Sequence, residues 1–429
     1  MIKKVTFVNT QSCNMRCKYC FEQLGNYPNT FIKSEYIDKM LNLLFEQDYT
    51  GEYIIEFFGG EPFVYPESII YGLNKIKEIL LKGTKNTIYF HITSNFLSID
   101  ERVFELLSEL TLYDNFEAQI TISILLDEEM HNKDRVDISG KGTYSKVYNN
   151  MIKVVEKYPN IYYSTNMVIS KSVISNFSKI ADNVIEFHKK YPNVSNNLVL
   201  TSTLSVDKLD EYTKDELRFI FEDYIKRDKS NICEKVIQGI YGSIPYSVGF
   251  LENRELSFCR IFLEEITILP NGNIIPCHRS DLGVLKVNEE EVVYGNIEKI
   301  NSFKELKMIP NISDINNLLS DDRCFETEDG NNCNDCQFNS FCHYCPISNY
   351  NKTGLLTKRS RKECERTMTL VELTLEYERM KVMKEVMERL EKLENKIDIL
   401  GNLNISLLEN IVESNSETLK DENTQNITK

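Results

Sequence analysis

Up to residue 204 the chain alternates between two hydrophobic periods. Short runs rich in β-branched and aromatic residues, at 4–8, 53–58, 87–93, 119–125, 162–169 and 198–204, read as strands. Helix-length stretches with apolar residues at three- and four-residue steps separate them, among them 34–45, 67–81 and 172–189. Six strand–helix units follow. Crossovers this long join parallel strands, and six right-handed units suit a curved sheet or open barrel. Periodicity alone does not distinguish that arrangement from a doubly wound sheet.

Beyond residue 205 the pattern changes. Residues 206–255 read as a helical connector, 256–366 as a cysteine-rich domain and 367–412 as an amphipathic helix. In that helix Met380, Met383, Met387, Leu390, Leu393, Ile397 and Leu400 recur at helical spacing among Glu, Lys and Arg. Such a stripe packs on its own domain, pairs with a second copy or grips a substrate leader peptide. The polar residues 413–429 read as a disordered tail.

Composition narrows the class. A chain of 429 residues, 41% hydrophobic, can build one large α/β domain and a smaller one. A formal charge of -15 argues against general nucleic-acid binding, because a phosphate backbone would be repelled on average. No apolar run approaches a membrane span, and the charged start leads straight into a strand rather than a signal peptide, so a cytoplasmic protein is expected. In a reducing cytosol the clustered spacing of the twelve cysteines favours metal over disulfides.

Cys13, Cys17 and Cys20 fall on one tight loop after the first strand, with three and then two residues between them. Three close thiolates can hold three irons of a cuboidal cluster and leave the fourth iron free for a small molecule. A partial zinc site or a redox thiol pair is the plain alternative. Zinc wants four ligands, however, and the next histidine is His91. The second strand ends in Phe57-Phe58-Gly59-Gly60-Glu61-Pro62, where glycines permit close backbone approach and a carboxylate can meet an ammonium group.

The cysteine spacing, the aromatic Tyr19 before the last cysteine and the Gly-Gly-Glu-Pro motif together resemble the radical S-adenosylmethionine (SAM) superfamily. The resemblance implies a partial (β/α)6 barrel, a 4Fe-4S cluster on Cys13, Cys17 and Cys20, and SAM bound to its open iron. It also implies reductive cleavage of SAM to a 5'-deoxyadenosyl radical that abstracts hydrogen from an unactivated carbon. By the same resemblance Tyr19, Gly59, Gly60 and Glu61 belong to the SAM site, Ser94 and Asn95 contact its ribose or carboxylate, and Ser123 and Arg135 meet its carboxylate. Relatives often carry Thr-Asn-Gly where this chain has Thr93-Ser94-Asn95, and Ser-Ile-Asp-Gly where it has Ser123-Ile-Leu-Leu-Asp127.

In the cysteine-rich block, two strand-like arms flank Asn271-Gly272, a hairpin signal that ends at Cys277. Cys333, Cys336, Cys342 and Cys345 alone would pass for a zinc knuckle. With Cys259, Cys277, Cys324 and Cys364 they instead resemble the SPASM extension of radical SAM enzymes, which holds two auxiliary 4Fe-4S clusters. Three thiols for the first cluster and eight for the other two account for all the cysteines but Cys233. The resemblance places Cys333, Cys336, Cys342 and Cys364 on the distal cluster and Cys259, Cys277 and Cys345 on the proximal one. Cys324 is its candidate fourth ligand, an open proximal cluster being the alternative.

The resemblance implies a peptide maturase that forms a thioether or other crosslink in a ribosomal precursor peptide. It would draw electrons from a donor such as flavodoxin or ferredoxin, and recognition of the peptide could involve a separate leader-binding protein. The second reading is an anaerobic sulfatase-maturing enzyme. In that group an Asp base follows the cysteine that ends the hairpin, whereas this chain has His278, a candidate catalytic residue. A non-catalytic iron–sulfur or zinc scaffold is the third.

Overall fold

A computed structural model describes residues 1–20, 29–200, 213–227, 264–278, 293–306, 326–327, 329–337, 353, 358–359 and 361–425. The chain divides into two compact units, Met1–Leu370 and Val371–Lys429.

Six strands of the first unit lie side by side in chain order, all parallel: β1 (Lys4–Thr10), β2 (Glu52–Gly59), β3 (Thr87–Ser94), β4 (Phe116–Ser123), β5 (Tyr162–Ile169) and β6 (Val194–Leu200). Helix α1 (Ser34–Phe45) follows β1, α2 (Pro66–Leu81) follows β2 and α3 (Glu101–Leu110) follows β3. Both α4 (Glu128–Asp134) and α5 (Tyr144–Lys157) follow β4, α6 (Phe177–Lys190) follows β5 and α7 (Lys214–Arg227) follows β6. Because crossovers between successive parallel neighbours are right-handed as a rule, the connecting helices α1 to α6 belong on one face of the sheet.

Two strand positions differ from the sequence reading. β4 begins at Phe116, because Phe116, Ala118, Ile120 and Ile122 already alternate into the core. The apolar run that seemed to carry it to residue 125 is a buried loop, Ile124 to Leu126, leading into α4. β6 begins at Val194 rather than 198, and residues 201–204 lie outside the described residues.

On the other side of β1 the sheet continues with β7 (Glu265–Ile268), parallel to β1 in the register Lys4↔Glu265 to Phe7↔Ile268. Antiparallel β8 (Asn273–Ile275) and β9 (Gly295–Asn296) complete it. The hairpin expected at Asn271-Gly272 is present, with a Leu269–Gly272 turn closed by a 2.9 Å backbone hydrogen bond and Gly272 at φ 84°. Among the described residues no ladder joins β6 to β9, so the sheet is not closed by hydrogen bonds.

Side-chain alternation gives the sheet two unlike faces. Val5, Phe7, Ile55, Phe57, Phe90, Ile92 and Ile120 are buried on the helix side, where Phe57 stacks on Phe7 at 5.2 Å and meets Phe90 in a tilted contact at 5.6 Å, across three strands. The opposite face carries Thr6, Glu56, His91, Gln119, Thr121 and Ser164. Parallel strands covered on both sides are normally apolar throughout, so a polar second face marks an interior built for something other than packing.

Cys333–Asp335 forms a 3-10 turn, and β10 (Glu326–Thr327) pairs in parallel with β11 (Lys358–Arg359). Helix α8 (Arg361–Gln425), 65 residues long, begins in the first unit and makes up the described part of the second. It runs on through the polar residues from 413 that composition alone marks as a tail; Glu, Lys and Leu there are good helix formers. Among the described residues no helix is long and apolar enough to cross a membrane.

Phe57 sits at the centre of the aromatic row. Phe57→Ala should destabilise the chain by about 3–5 kcal/mol, the usual cost of emptying a buried aromatic site, read as a lowered urea midpoint at unchanged slope. A loss below about 1 kcal/mol would mean that the row is not the packing centre.

Candidate active site

The chain leaves β1 at Thr10 and enters the cysteine loop at once. This loop is clamped to the end of β2 by backbone hydrogen bonds, Gly60 N–H to Thr10 C=O at 3.0 Å and Glu61 N–H to Ser12 C=O at 2.9 Å. No side chain fits between the two segments. A Cβ on Gly59, at φ 145°, would lie 2.1 Å from the Thr10 oxygen, and one on Gly60 would lie 2.5 Å from that of Ser12. The glycines therefore bring two protein segments together, where the sequence suggested only approach to a ligand. Asn9 fixes the next turn, donating to the carbonyls of Pro62 and Tyr65 at 2.9 and 3.1 Å. On its far side the loop is strapped to the chain after α4, with Arg16 N–H to Val136 C=O at 2.7 Å and Lys18 N–H to Asp134 C=O at 2.9 Å.

Cys13, Cys17 and Cys20 are half-buried on this loop. Burial, then the nearby Glu61 carboxylate, push the Cys13 thiol up to about 12, with Cys17 and Cys20 adding to the rise. Among the described residues no three His, Cys, Asp or Glu side chains converge as ligands of a metal ion.

The ends of β2 and β3 meet at Glu61, which is 1% exposed. Its carboxylate accepts from Phe63 N–H at 3.0 Å, Ser94 Oγ at 2.7 Å and Asn95 N–H at 2.6 Å. Hydrogen bonds to a carboxylate favour its ionised form, yet desolvation outweighs all three here and lifts the group to about 7. Asn95 then reaches back to the cysteine loop, donating to Asn14 Oδ1 at 2.8 Å and lying 3.7 Å from Cys13 Sγ. The turn after Asn95 needs left-handed backbone, and without a glycine the fully buried Phe96 adopts it at φ 59°. Such a conformation costs a non-glycine residue roughly 1–2 kcal/mol, which the Phe96 ring's packing against Phe63 and Phe104 offsets.

Ser123 ends β4, half-buried. Arg135, just beyond α4, is 5% exposed and donates to Tyr19 Oη at 2.9 Å, while its Nε has no hydrogen-bond partner among the described residues. Such a buried guanidinium N–H suits an anionic or carbonyl oxygen. Burial, countered by Arg135, pushes the Tyr19 hydroxyl up to about 12. His131 is structural. Its Nδ1 accepts from Leu125 N–H at 3.2 Å and its Nε2 meets Thr143 Oγ1 at 3.0 Å, and burial with the nearby Arg135 holds it neutral at about 2.

Sequence reasoning missed a hydrogen-bonded chain across the polar face. Glu56, 5% exposed, accepts from Thr6 Oγ1 at 2.9 Å and faces Lys4 Nζ at 3.3 Å. His91 lies between Glu56 and Thr121, its Nδ1 at 3.0 Å from the carboxylate and its Nε2 at 2.8 Å from Thr121 Oγ1, and Ser164 Oγ is 2.9 Å further on. The bonds to His91 and the charge of Lys4 overcome desolvation and hold Glu56 well below the usual carboxylate range. The one available sequence signal was a glutamate inside the otherwise apolar run 53–58. The His278 ring packs on Phe58, 4.2 Å between centroids, beside the Gly59-Gly60-Glu61 clamp. Its field reaches Glu56.

Cys277 is half-buried after β8. The nearby Tyr294 hydroxyl is buried and, among the described residues, has no hydrogen-bond partner. Cys333 and Cys364 are half-buried and Cys336 is exposed, whereas Cys259, Cys324, Cys342 and Cys345 lie outside the described residues.

No sequence match is found among curated proteins. Residues 8–183 match the Radical SAM superfamily. Among solved structures, the anaerobic sulfatase-maturing enzyme anSMEcpe with bound AdoMet superposes with a TM-score of 0.64 at 18% identity, over 87% of this chain and 97% of that one. The same enzyme with bound AdoMet and the Cp18Cys peptide gives the same TM-score and identity, over 87% of this chain and 96% of that one. Streptococcus suis SuiB bound to precursor peptide SuiA gives 0.57 at 17% identity, over 85% and 76% of the two chains. At these identities the likeness speaks for the fold. The parallel sheet, its cysteine loop and the Gly-Gly-Glu-Pro clamp thus identify residues 8–183 as a radical SAM domain.

Proposed function

We propose that the chain cleaves SAM at an iron–sulfur cluster held by Cys13, Cys17 and Cys20 and modifies a ribosomal precursor peptide, forming a thioether or other crosslink. The junction of Glu61, Asn95 and Cys13 carries this reading: it fixes the strand ends of β2 and β3 against the cysteine loop and holds a buried carboxylate that has no cation in direct contact among the described residues. Glu61 would hold the SAM ammonium, and Arg135, whose Nε has no partner among the described residues, would hold its carboxylate. When bound, cluster and SAM supply a 5'-deoxyadenosyl radical. Peptide as substrate is supported by the anSMEcpe and SuiB structures that hold peptides.

Joining a carbon and a sulfur from a C–H and an S–H releases one proton and one electron besides the abstracted hydrogen atom. His278, seated on Phe58, accepts the proton, and the Glu56–His91–Thr121–Ser164 chain offers a route along the same face. Auxiliary clusters, which Cys259, Cys277, Cys324, Cys333, Cys336, Cys342, Cys345 and Cys364 would hold, would supply an acceptor for the electron. The orphan Tyr294 hydroxyl beside Cys277 suits a cluster sulfur as acceptor. A flavodoxin or ferredoxin serves as reductant.

The whole-length likeness to anSMEcpe favours formylglycine formation as the second reading. Formylglycine produced by the wild-type enzyme on a sulfatase cysteine peptide would replace the crosslinking assignment.

Anaerobically reconstituted chain should carry about twelve irons and as many sulfides; iron near four with stoichiometric zinc would remove the auxiliary clusters. Glu61→Gln should weaken SAM binding, measured by calorimetry, by about 1.5–3 kcal/mol, the worth of a hydrogen bond to a charged group. Unchanged affinity would leave Glu61 as a strand tie alone. With the precursor peptide, His278→Ala should still release 5'-deoxyadenosine while losing most crosslinked product, and a normal product yield would remove the imidazole from the mechanism.

A further inference from the structure

Helix α8 carries an apolar stripe that faces solvent. Every described side chain from Glu385 to Val412 is exposed, with Met383 at 60%, Leu393 at 54% and Ile397 at 65%. Scattered surface leucines need no explanation, but a row of exposed apolar side chains over about 45 Å of helix, from Val382 to Val412, does. A lone helix in water gains most of its stability from burying such a row.

The spacing is more regular than amphipathic packing on a globular domain requires. Taking Met383 as the first position of a heptad, the a positions are Met383, Leu390, Ile397, Asn404 and Ile411, and the d positions are Val386, Leu393, Leu400 and Leu407. Asn404 is the only polar member. A strict seven-residue repeat sustained for about four heptads is the pattern of a coiled coil rather than of a helix lying on a domain surface.

We infer that residues 383–411 of α8 form a parallel, in-register two-stranded coiled coil with a second copy of this chain. Three features select this occupant. Isoleucine at a with leucine at d over Ile397, Leu400, Leu407 and Ile411 favours two strands over three or four. A single asparagine in an a position faces its own copy only when the strands run parallel and in register, where the two amides satisfy each other. Arg389 at g and Glu394 at the following e are opposite charges in the pair of positions that meet across a parallel dimer. An unrelated helical partner would need none of these self-complementary features. The inference does not depend on the proposed chemistry of the first unit.

Sedimentation velocity on the full chain, from sub-micromolar to tens of micromolar, tests it. The wild type should be a dimer, and Leu393→Glu with Leu400→Glu should be monomeric while the thermal unfolding transition of the first unit is retained. Arg389→Glu alone sets like charges against each other and should raise the dimer dissociation constant roughly three- to ten-fold at low salt. Adding Glu394→Arg to it should restore the affinity. A wild-type monomer throughout the range, its stripe covered by another surface of the chain or by a peptide, overturns the inference. So does a dimer that survives the Leu393/Leu400 change, or one whose affinity ignores the charge reversal at Arg389.

Discussion

Everything at the candidate active site depends on two backbone hydrogen bonds, from Gly60 and Glu61 to the carbonyls of Thr10 and Ser12. They form only because positions 59 and 60 lack a Cβ, which would otherwise meet those carbonyl oxygens well inside contact distance. The clamp fixes the cysteine loop relative to the parallel sheet and sets Glu61 where Ser94 and Asn95 can reach it. Strand ends, loop and carboxylate become one rigid unit. Flexible cysteines ligate iron anywhere, but a cluster whose open iron must meet a bound small molecule needs its cysteines held against the site that binds that molecule.

The two carboxylates near the site illustrate how environment sets role. Glu61 has three hydrogen-bond donors but, among the described residues, no cation in contact, and desolvation wins. Glu56 has Lys4 and His91, and desolvation loses. The first is therefore poised to gain from a cationic ligand, whereas the second is already compensated and can only pass charge along its hydrogen-bonded chain. Burying polar groups rarely stabilises a fold more than apolar packing would, so the hydrogen-bonded Glu56 and His91 on the polar face point to a use beyond stability.

Much of this was legible in the sequence because it rests on local pattern. The alternation of Tyr53, Ile55 and Phe57, the glycines before Glu61 and the Asn271-Gly272 turn each encode their structure within a few residues. Strand limits were less legible where apolar loops adjoin strands, as at Ile124 to Leu126. The Glu56–His91 pair was not legible at all. It depends on the register Glu56↔His91 between β2 and β3, which sequence spacing does not state. Arg135 was read from a motif, but its bond to Tyr19 spans 116 positions. The demand for left-handed backbone at Phe96 was hidden for a different reason, since packing overrides the local preference for glycine.

The central claim is that the clamp and the cysteine loop form a SAM-cleaving site in this chain. The most direct measurement is 5'-deoxyadenosine formed from SAM by the anaerobically reconstituted, dithionite-reduced chain, compared with a variant in which Cys13, Cys17 and Cys20 are all replaced by alanine. The account predicts 5'-deoxyadenosine from the wild type and none from the variant, which should keep the absorbance of its remaining clusters. Equal amounts from both, or none from an iron-loaded wild type supplied with SAM, would contradict it.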